Sequence, residues 1–382
     1  MTIPERLLLG PGPSPVSARV MRAMAQPVLS HLDPAMMALL DDLRQRLDTT
    51  FRAGDGAFSV AVSGTGTAGM EAAVANVTRP GSRALVVVSG YFGDRLAQML
   101  ERYGASVARV DVEWGRACDA EAVERVLQSH GADIVALVHA ETSTGVLNPV
   151  EDVLRLAQAH GALTIVDVVT SLGAMPVEAG GWGADVCYSC SQKGLGAPSG
   201  MAPVTFSARA LERRVPSRSF YLDLSLLEDY WVRRRYHHTI SAPLVYAVRE
   251  SLIAIDEETL EARWERHARH HRALEAGLAA LGLSLLPPPG ERLWTLNAVR
   301  VPDGVDEAAI RGMLLEEFGL EIGAGLGPLA GRIWRVGLMG AGSTIGNVLF
   351  FISALERALR RAGCKLPAAS AAISAVETAV SQ

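Results

Sequence analysis

The chain is poor in cysteine: Cys118, Cys187, Cys190 and Cys364 are all it has in 382 residues. A secreted framework of disulfides is not built from so few, so widely scattered thiols. Cys187 and Cys190 form a CxxC, but a structural zinc site wants four ligands and no companion pair is visible. Packed free thiols are the expectation, with no metal. No run of 18 uncharged apolar residues occurs, so no membrane span is expected. The opening LLLGPGP is too short for a signal-peptide core and lacks a basic lead, and the terminal VSQ is not a peroxisomal address. There is no excess of positive charge either. The net charge is −5 and the isoelectric point is near 6.0, so nothing points to nucleic acid or to an acidic membrane surface. The expected location is the cytoplasm.

What is present is apolar residue (49%) and glycine (37 of them). That composition suits a compact α/β globule with buried parallel strands. Residues 162–193 organise the chain. ALTIVDVVTSLG is a continuous, β-branched apolar run, which reads as a buried parallel strand. It ends on Asp167, where open α/β sheets place their ligands. A second short run, ADVCYSC, leads to Lys193 in a polar, glycine-rich loop. A lone strand-end acid is commonplace, and a loop lysine is usually solvated. Together they are the minimal kit for holding pyridoxal phosphate. The lysine amine bonds the cofactor aldehyde, and the acid pairs with the protonated ring nitrogen.

The pass along the chain supports an alternating βα order. An extended arm with a short helix covers residues 1–30. Residues 33–51 are helical, with Asp33 as cap and Pro34 in the first turn. FSVAV, 58–62, is a strand running into SGTGTAGMEAAVANV, a strand, small-residue turn and helix. Ser63, Thr65, Gly66 and Thr67 should expose backbone N–H groups where that helix begins, a site for phosphate. The string GTGTAG also fits the dinucleotide pattern GxGxxG. No strand-end acid about 20 residues on is there to hold a ribose, which disfavours a nicotinamide reading. Strands follow at 84–88, 107–112, 134–138 and 203–206, with helices between them. Residues 90–93 are expected as a loop carrying Tyr91 and Phe92. Residues 207–236 lack a clean period and read as loop-rich. Helices are expected over 243–254 and 257–281. HARHH in the second places His267 and His271 at i, i+4, but no HExxH and no third ligand accompany them, so a solvated basic face is expected. After GLSLLPPPGE comes a smaller α/β unit: a strand at 293–301, a helix at 306–318, strands from 320 and at 333–336, and a closing helix at 346–362. The alanine-rich tail is a docked or a frayed helix.

HAETSTGVLNP, IVDVVTSLG, YSCSQKGLGAPSG and YHHTI, in this order, resemble the alanine–glyoxylate and serine–glyoxylate aminotransferases. These are class V members of the fold type I pyridoxal-phosphate enzymes. The likeness runs from LLLGPGPSPV to WRVGLMG. It implies a large domain with a mostly parallel sheet between helices, plus a smaller C-terminal α/β domain. The boundaries are an arm at 1–30, the large cofactor-binding domain at 31–281, the small domain at 282–366 and a tail at 367–382. It implies pyridoxal 5'-phosphate, with Lys193 and Asp167 catalytic and Thr65, Gly66 and Thr67 at the phosphate. Gln192 matches a phosphate residue. Thr142 matches a serine near the phenolic oxygen. Phe92 stands where a tryptophan stacks on the ring, and Val169 would face it from the other side. Gly12 matches a glycine beside the substrate. Arg335, by itself an ordinary strand arginine, matches the guanidinium that takes the substrate carboxylate in two parallel bonds. Tyr236 and Thr239 match residues that reach the phosphate of a partner subunit, which implies a homodimer with shared sites.

The expected reaction moves an amino group from alanine or serine to glyoxylate, a small amino acid and a 2-oxo acid as substrates. Serine–pyruvate or (S)-ureidoglycine–glyoxylate exchange are the near alternatives. A cysteine desulfurase would need a mobile reactive cysteine, and Cys364 is poorly placed for that. The reading of another class is a non-catalytic binding or assembly protein.

Overall fold

The computed structural model describes residues 3–368 and 370–381. Met1, Thr2, Ala369 and Gln382, in the arm and the tail, lie outside the described residues. The arm begins with β1 (Leu7–Leu8), passes through GPGPSP and forms α1 (Ala18–Met24). Helix α2 (Pro34–Phe51) follows, capped by the Asp33 carboxylate on Ala35 N and burying Met36, Leu40, Leu43, Leu47 and Phe51. Then comes the alternation: β2 (Phe58–Ser63), α3 (Gly66–Val77), β3 (Arg83–Val88), α4 (Tyr91–Arg102), β4 (Ser106–Asp111), α5 (Ala120–His130) and β5 (Ile134–Val138). A small hairpin, β6 (Ala140–Glu141) and β7 (Val146–Leu147), leads into α6 (Val150–Ala159), β8 (Leu163–Asp167), β9 (Val186–Tyr188) and β10 (Met201–Phe206).

These strands form one seven-stranded sheet in the order β2-β10-β9-β8-β5-β3-β4. Only β10 runs against its neighbours, β9 and β2. Helices cover both faces, so β5, β8, β9 and β10 are buried along their whole length. That is why their sequences are apolar runs without alternation. In the register of the sheet, Val138 lies opposite Asp167, and Asp167 opposite Tyr188, so three central strands end level.

Beyond the sheet, α7 (Ala208–Glu212) and α8 (Leu224–Trp231) interrupt the segment expected to be loop. They are five and eight residues long, too short to print a period in the sequence. Helices α9 (Ala242–Glu258) and α10 (Leu260–Ala280) follow. The smaller C-terminal α/β region comprises β11 (Leu296–Arg300), α11 (Glu307–Phe318), β12 (Leu320–Glu321), β13 (Gly323–Ala324), β14 (Ile333–Gly337), α12 (Ile345–Arg361) and α13 (Ala371–Val380). Its antiparallel sheet has the order β11-β14-β13. The arm is stitched to it: β1 pairs with β12 in parallel, and Gly337 N donates to Leu9 O at 2.7 Å.

Two main apolar cores result, and α10 belongs to both. Its Leu260 and Trp264 pack into the first, and its Ala273, Leu274 and Leu278 into the second. This overturns the solvated face expected for HARHH. His267, His270 and His271 are all buried, because they lie on the sides of α10 turned toward the two cores, while Glu265, Arg269 and Arg272 keep the remaining side in solvent. Each imidazole has partners. His267 Nδ1 bonds Arg263 O at 2.7 Å, and its Nε2 accepts from Gly340 N at 3.1 Å. His270 Nδ1 meets Ser343 Oγ, and His271 Nδ1 meets Asn297 Oδ1. Burial lowers all three pKa values, that of His270 to about 4, so they are neutral near pH 7. Among the described residues no helix is long and apolar enough to cross a membrane.

The tail is docked: Ala372 and Val376 of α13 are buried in the second core, against α10. Gly277 makes that crossing possible, since a Cβ there would stand 2.7 Å from Val376 Cγ2 and 3.0 Å from Ile352. Gly277→Leu is expected to lift α13 and lower stability by about 1–3 kcal/mol. Thermal melts check this. In a chain shortened to residue 366 the same substitution should cost markedly less.

Candidate active site

Because the strands end level, the loops at their carboxyl ends converge. Those after β2, β3, β5, β8 and β9 bring Thr65, Gly66 and Thr67, then Phe92, Thr142, Asp167 with Val169, and Gln192 with Lys193. The arm adds Gly12, and β14 adds Arg335. All of these line one cavity of about 390 Å³, with Arg95, Tyr91 and Leu326 also on its wall. Tyr236 and Thr239 are not brought there. Both are exposed, and the Tyr236 ring lies 5.2 Å from that of His31.

Asp167 is buried at the tip of β8. Val169 N donates to its Oδ1 and Tyr188 OH to its Oδ2, each at 2.8 Å. Burial outweighs these two bonds and pushes the carboxyl up to about 6. Lys193 is buried as well. Its Nζ donates to Thr142 Oγ1 at 3.0 Å and Thr170 Oγ1 at 3.1 Å. Burial lowers the amine from its ordinary value, toward the neutral form that is a nucleophile and a base. The arm is sewn over this loop: Ser14 N donates to Gln192 O, and Ser14 Oγ to Lys193 O. Gly12, at φ +118, lies directly on the lysine stem. A Cβ there would come within 3.1 Å of Lys193 Cε.

Tyr188 and Thr170 were not anticipated. Tyr188 had a signal, an aromatic ending the strand that precedes the lysine loop. Thr170 differs from any loop threonine only by its place.

At the other end of the cavity α3 begins without a side-chain cap on Thr65. Among the described residues the N–H groups of Gly66 and Thr67 have no acceptor. Buried nearby is the Gln192 amide oxygen, also without a partner. Gly66 is closely packed, since a Cβ there would stand 3.2 Å from Cys190 Cβ and 3.4 Å from Val169 Cγ2. The segment expected as a loop at 90–93 is instead the start of α4, with Phe92 in its first turn. Glu141 explains this. Its fully buried carboxylate accepts from Phe92 N, Gly93 N, Ser143 N and Ser143 Oγ. A cap supplied 48 residues away satisfies the helix end and fixes the Phe92 ring.

Arg335 is buried with no carboxylate within ion-pair distance among the described residues. Nε donates to Ala324 O at 2.6 Å, and Nη1 reaches Thr142 O at 3.4 Å. Burial draws it down to about 10, so it is charged at neutral pH. The remaining guanidinium donors are available to a ligand.

The cavity thus presents an acid for a cation, an amine for a carbonyl, a helix end for a phosphate and a guanidinium for a carboxylate. A testable consequence concerns the protein without ligand. The Asp167 carboxyl titrates near 6 when folded and near 3.8 as a free group. The folded state binds the proton more tightly, so stability from this group is present below pH 3.8 and is lost as pH rises to 6. Asp167→Asn should therefore stabilise the cofactor-free protein above pH 6, by up to about 3 kcal/mol. The gain should vanish near pH 4. Melting temperatures of both proteins across that range check it.

A family model described as Aminotransferase class-V matches residues 8–331. An (S)-ureidoglycine–glyoxylate transaminase of Bacillus subtilis is 37% identical over 397 residues, spanning 98% of this chain and 95% of that protein. Among solved structures, an alanine–glyoxylate aminotransferase from Nostoc sp. superposes with a TM-score of 0.92 at 46% identity, covering 94% of this chain and 97% of that one. The ureidoglycine–glyoxylate aminotransferase of Bacillus subtilis gives a TM-score of 0.97 at 38% identity over 100% of both chains. With a family match over most of its length and relatives this similar along nearly all of it, the chain belongs to the class V aminotransferases.

Proposed function

We propose that this chain is a pyridoxal-phosphate-dependent transaminase that passes the amino group of alanine or serine to glyoxylate. The observation that carries the reading is Arg335, a buried guanidinium with no ion partner among the described residues, in the same cavity as Lys193 and Asp167. A buried unpaired cation is costly, and an α-carboxylate relieves it.

The residues fit the cofactor. The uncapped start of α3, with free N–H groups on Gly66 and Thr67, suits the phosphate. Asp167, raised by burial, suits a cationic ring nitrogen that would restore its charge. Phe92 and Val169 suit the two faces of a flat ring. When bound, pyridoxal phosphate supplies an aldehyde to hold an amine and a ring that takes up the electrons of a broken Cα–H bond. Asp167 keeps a proton at the ring nitrogen. Arg335 binds the substrate carboxylate and so orients its Cα. Lys193, held as an amine by Thr142 and Thr170, would move the proton between the substrate Cα and the cofactor's C4′ carbon.

Donor choice is set by the remaining space. The arm at Pro11 and Gly12, together with Tyr91 and Leu326, crowds the cavity, so bulky donors are poor. No second guanidinium stands on the Arg335 side, so aspartate and glutamate are poor as well. Alanine and serine differ by one hydroxyl, for which no dedicated partner is evident. A pocket rejects the analogue lacking a hydroxyl only when built to bond it. Both react, with a lean to alanine. The likeness to ureidoglycine–glyoxylate enzymes favours a second reading, a ureido donor with the same acceptor.

A matrix of half-reactions tests this, following loss of the bound cofactor's visible absorbance with each amino acid and its return with each keto acid. Fast loss with alanine and serine and fast return with glyoxylate are expected. Return with 2-oxoglutarate but not glyoxylate would overturn the acceptor. A ureido donor faster than both amino acids would move the enzyme to the second reading.

The exposed Tyr236 and Thr239 fit a homodimer in which each subunit completes the other's phosphate site. Coexpression of a Lys193→Ala subunit with a Tyr236→Phe, Thr239→Ala subunit then yields heterodimers with one doubly damaged and one intact site. Activity should partly recover relative to either parent. Heterodimers that form without recovery would count against shared sites.

A further inference from the structure

The transaminase reading accounts for Arg335, but a second guanidinium lines the same cavity. Arg95 lies one turn into α4, and its Nη1 donates to Thr67 Oγ1 at 3.2 Å. Thr67 is in the first turn of α3, so Arg95 stands at the cradle end. Among the described residues it has no carboxylate within ion-pair distance. The adjacent acid, Asp94, is taken by Arg109 at 2.8 Å and by Gln98 at 2.6 Å. Arg95 rests instead on the cavity's aromatic wall, 5.1 Å from the Tyr91 ring centroid and 5.2 Å from that of Phe92. Such contacts hold a guanidinium without neutralising it.

The charge at this end of the cavity is otherwise incomplete. A phosphate monoester carries about −1.5 to −2 charges at neutral pH. A helix start offers only about +0.5, and Thr65, Thr67 and Gln192 are neutral. We propose that Arg95 is the counter-cation for the cofactor's phosphate, positioning it together with Thr67 at the start of α3. This rests on the transaminase reading and adds the residue that supplies the charge. It also makes the cavity polar in a defined sense, with the dianion drawn to Arg95 and the monoanionic α-carboxylate to Arg335. The competing role, holding a distal carboxylate of a dicarboxylic donor, is disfavoured by the bond to Thr67.

The test uses the purified enzyme, resolved and then titrated with pyridoxal phosphate or with pyridoxal, which lacks the phosphate. If the wild type takes up pyridoxal phosphate and shows its visible absorbance, the underlying reading stands and Arg95 alone is on trial. Arg95→Gln should bind pyridoxal phosphate about ten- to a hundredfold more weakly, as expected for losing a charge-assisted bond, and pyridoxal within about twofold. The salt dependence of phosphate-form binding should shrink with it. Arg95→Lys should restore most of the affinity for the phosphate form. Equal weakening toward both forms would make Arg95 a wall residue and overturn the proposal, and so would no weakening toward either. Unchanged cofactor affinity with selective loss of reaction with glutamate and aspartate would assign Arg95 to a distal carboxylate instead.

Discussion

Three ionisable groups, Asp167, Lys193 and Arg335, are held out of water around one cavity, and none is ion-paired to another. Burial moves each toward its neutral form: the acid up, the amine down, the guanidinium down. Left to themselves they oppose folding. Much of the surrounding structure offsets that cost with neutral hydrogen bonds: Tyr188 and Val169 on the acid, Thr142 and Thr170 on the amine, the Ala324 carbonyl on the guanidinium. Neutral partners orient a charge without cancelling it. The charges therefore stay available to a ligand, which is the arrangement that electrostatic preorganisation requires.

Keeping those groups at fixed separation falls to elements that touch no ligand. Arg263, buried on α10, donates to Gly173 O in the loop after β8 and to Gly194 O beside Lys193, and pairs with Glu258. One turn on, Arg266 donates to Ser343 O at 2.6 Å, and His267 holds Gly340 N. Gly340 in turn packs on Gly196 and on the Lys193 carbonyl, where a Cβ would be within about 3.2 Å. One helix thus ties the loop carrying Lys193 to the loop beyond Arg335. The arm repeats the tie from the other side through Ser14 and Leu9.

Much of this was legible in the chain. The central strands are apolar runs because both faces are buried, and Asp167 and Lys193 stand beside such runs, so contiguous residues revealed them. A further signal was available: the chain holds only two lysines, Lys193 and Lys365, which narrows any lysine-based chemistry at once. The misreadings share a cause. HARHH reads as one polar, wet face, but at that level α10 leaves only a narrow strip with Arg269 in solvent and turns its histidines to the two cores. The 90–93 segment looked like a loop because the Glu141 carboxylate that caps α4 is far away in sequence.

By itself the sequence determined the alternating βα order, the strand ends and the types of group placed there. These depend on local runs of apolar residues and on short-range turn and cap chemistry. Only the tertiary structure decided which groups meet: Tyr188 on Asp167, Thr170 on Lys193, Glu141 beneath Phe92, Arg95 beside Thr67. Those pairings depend on strand register and on the docking of α4 and β14. Register is set by the packing of the whole sheet, and no short stretch of chain contains it.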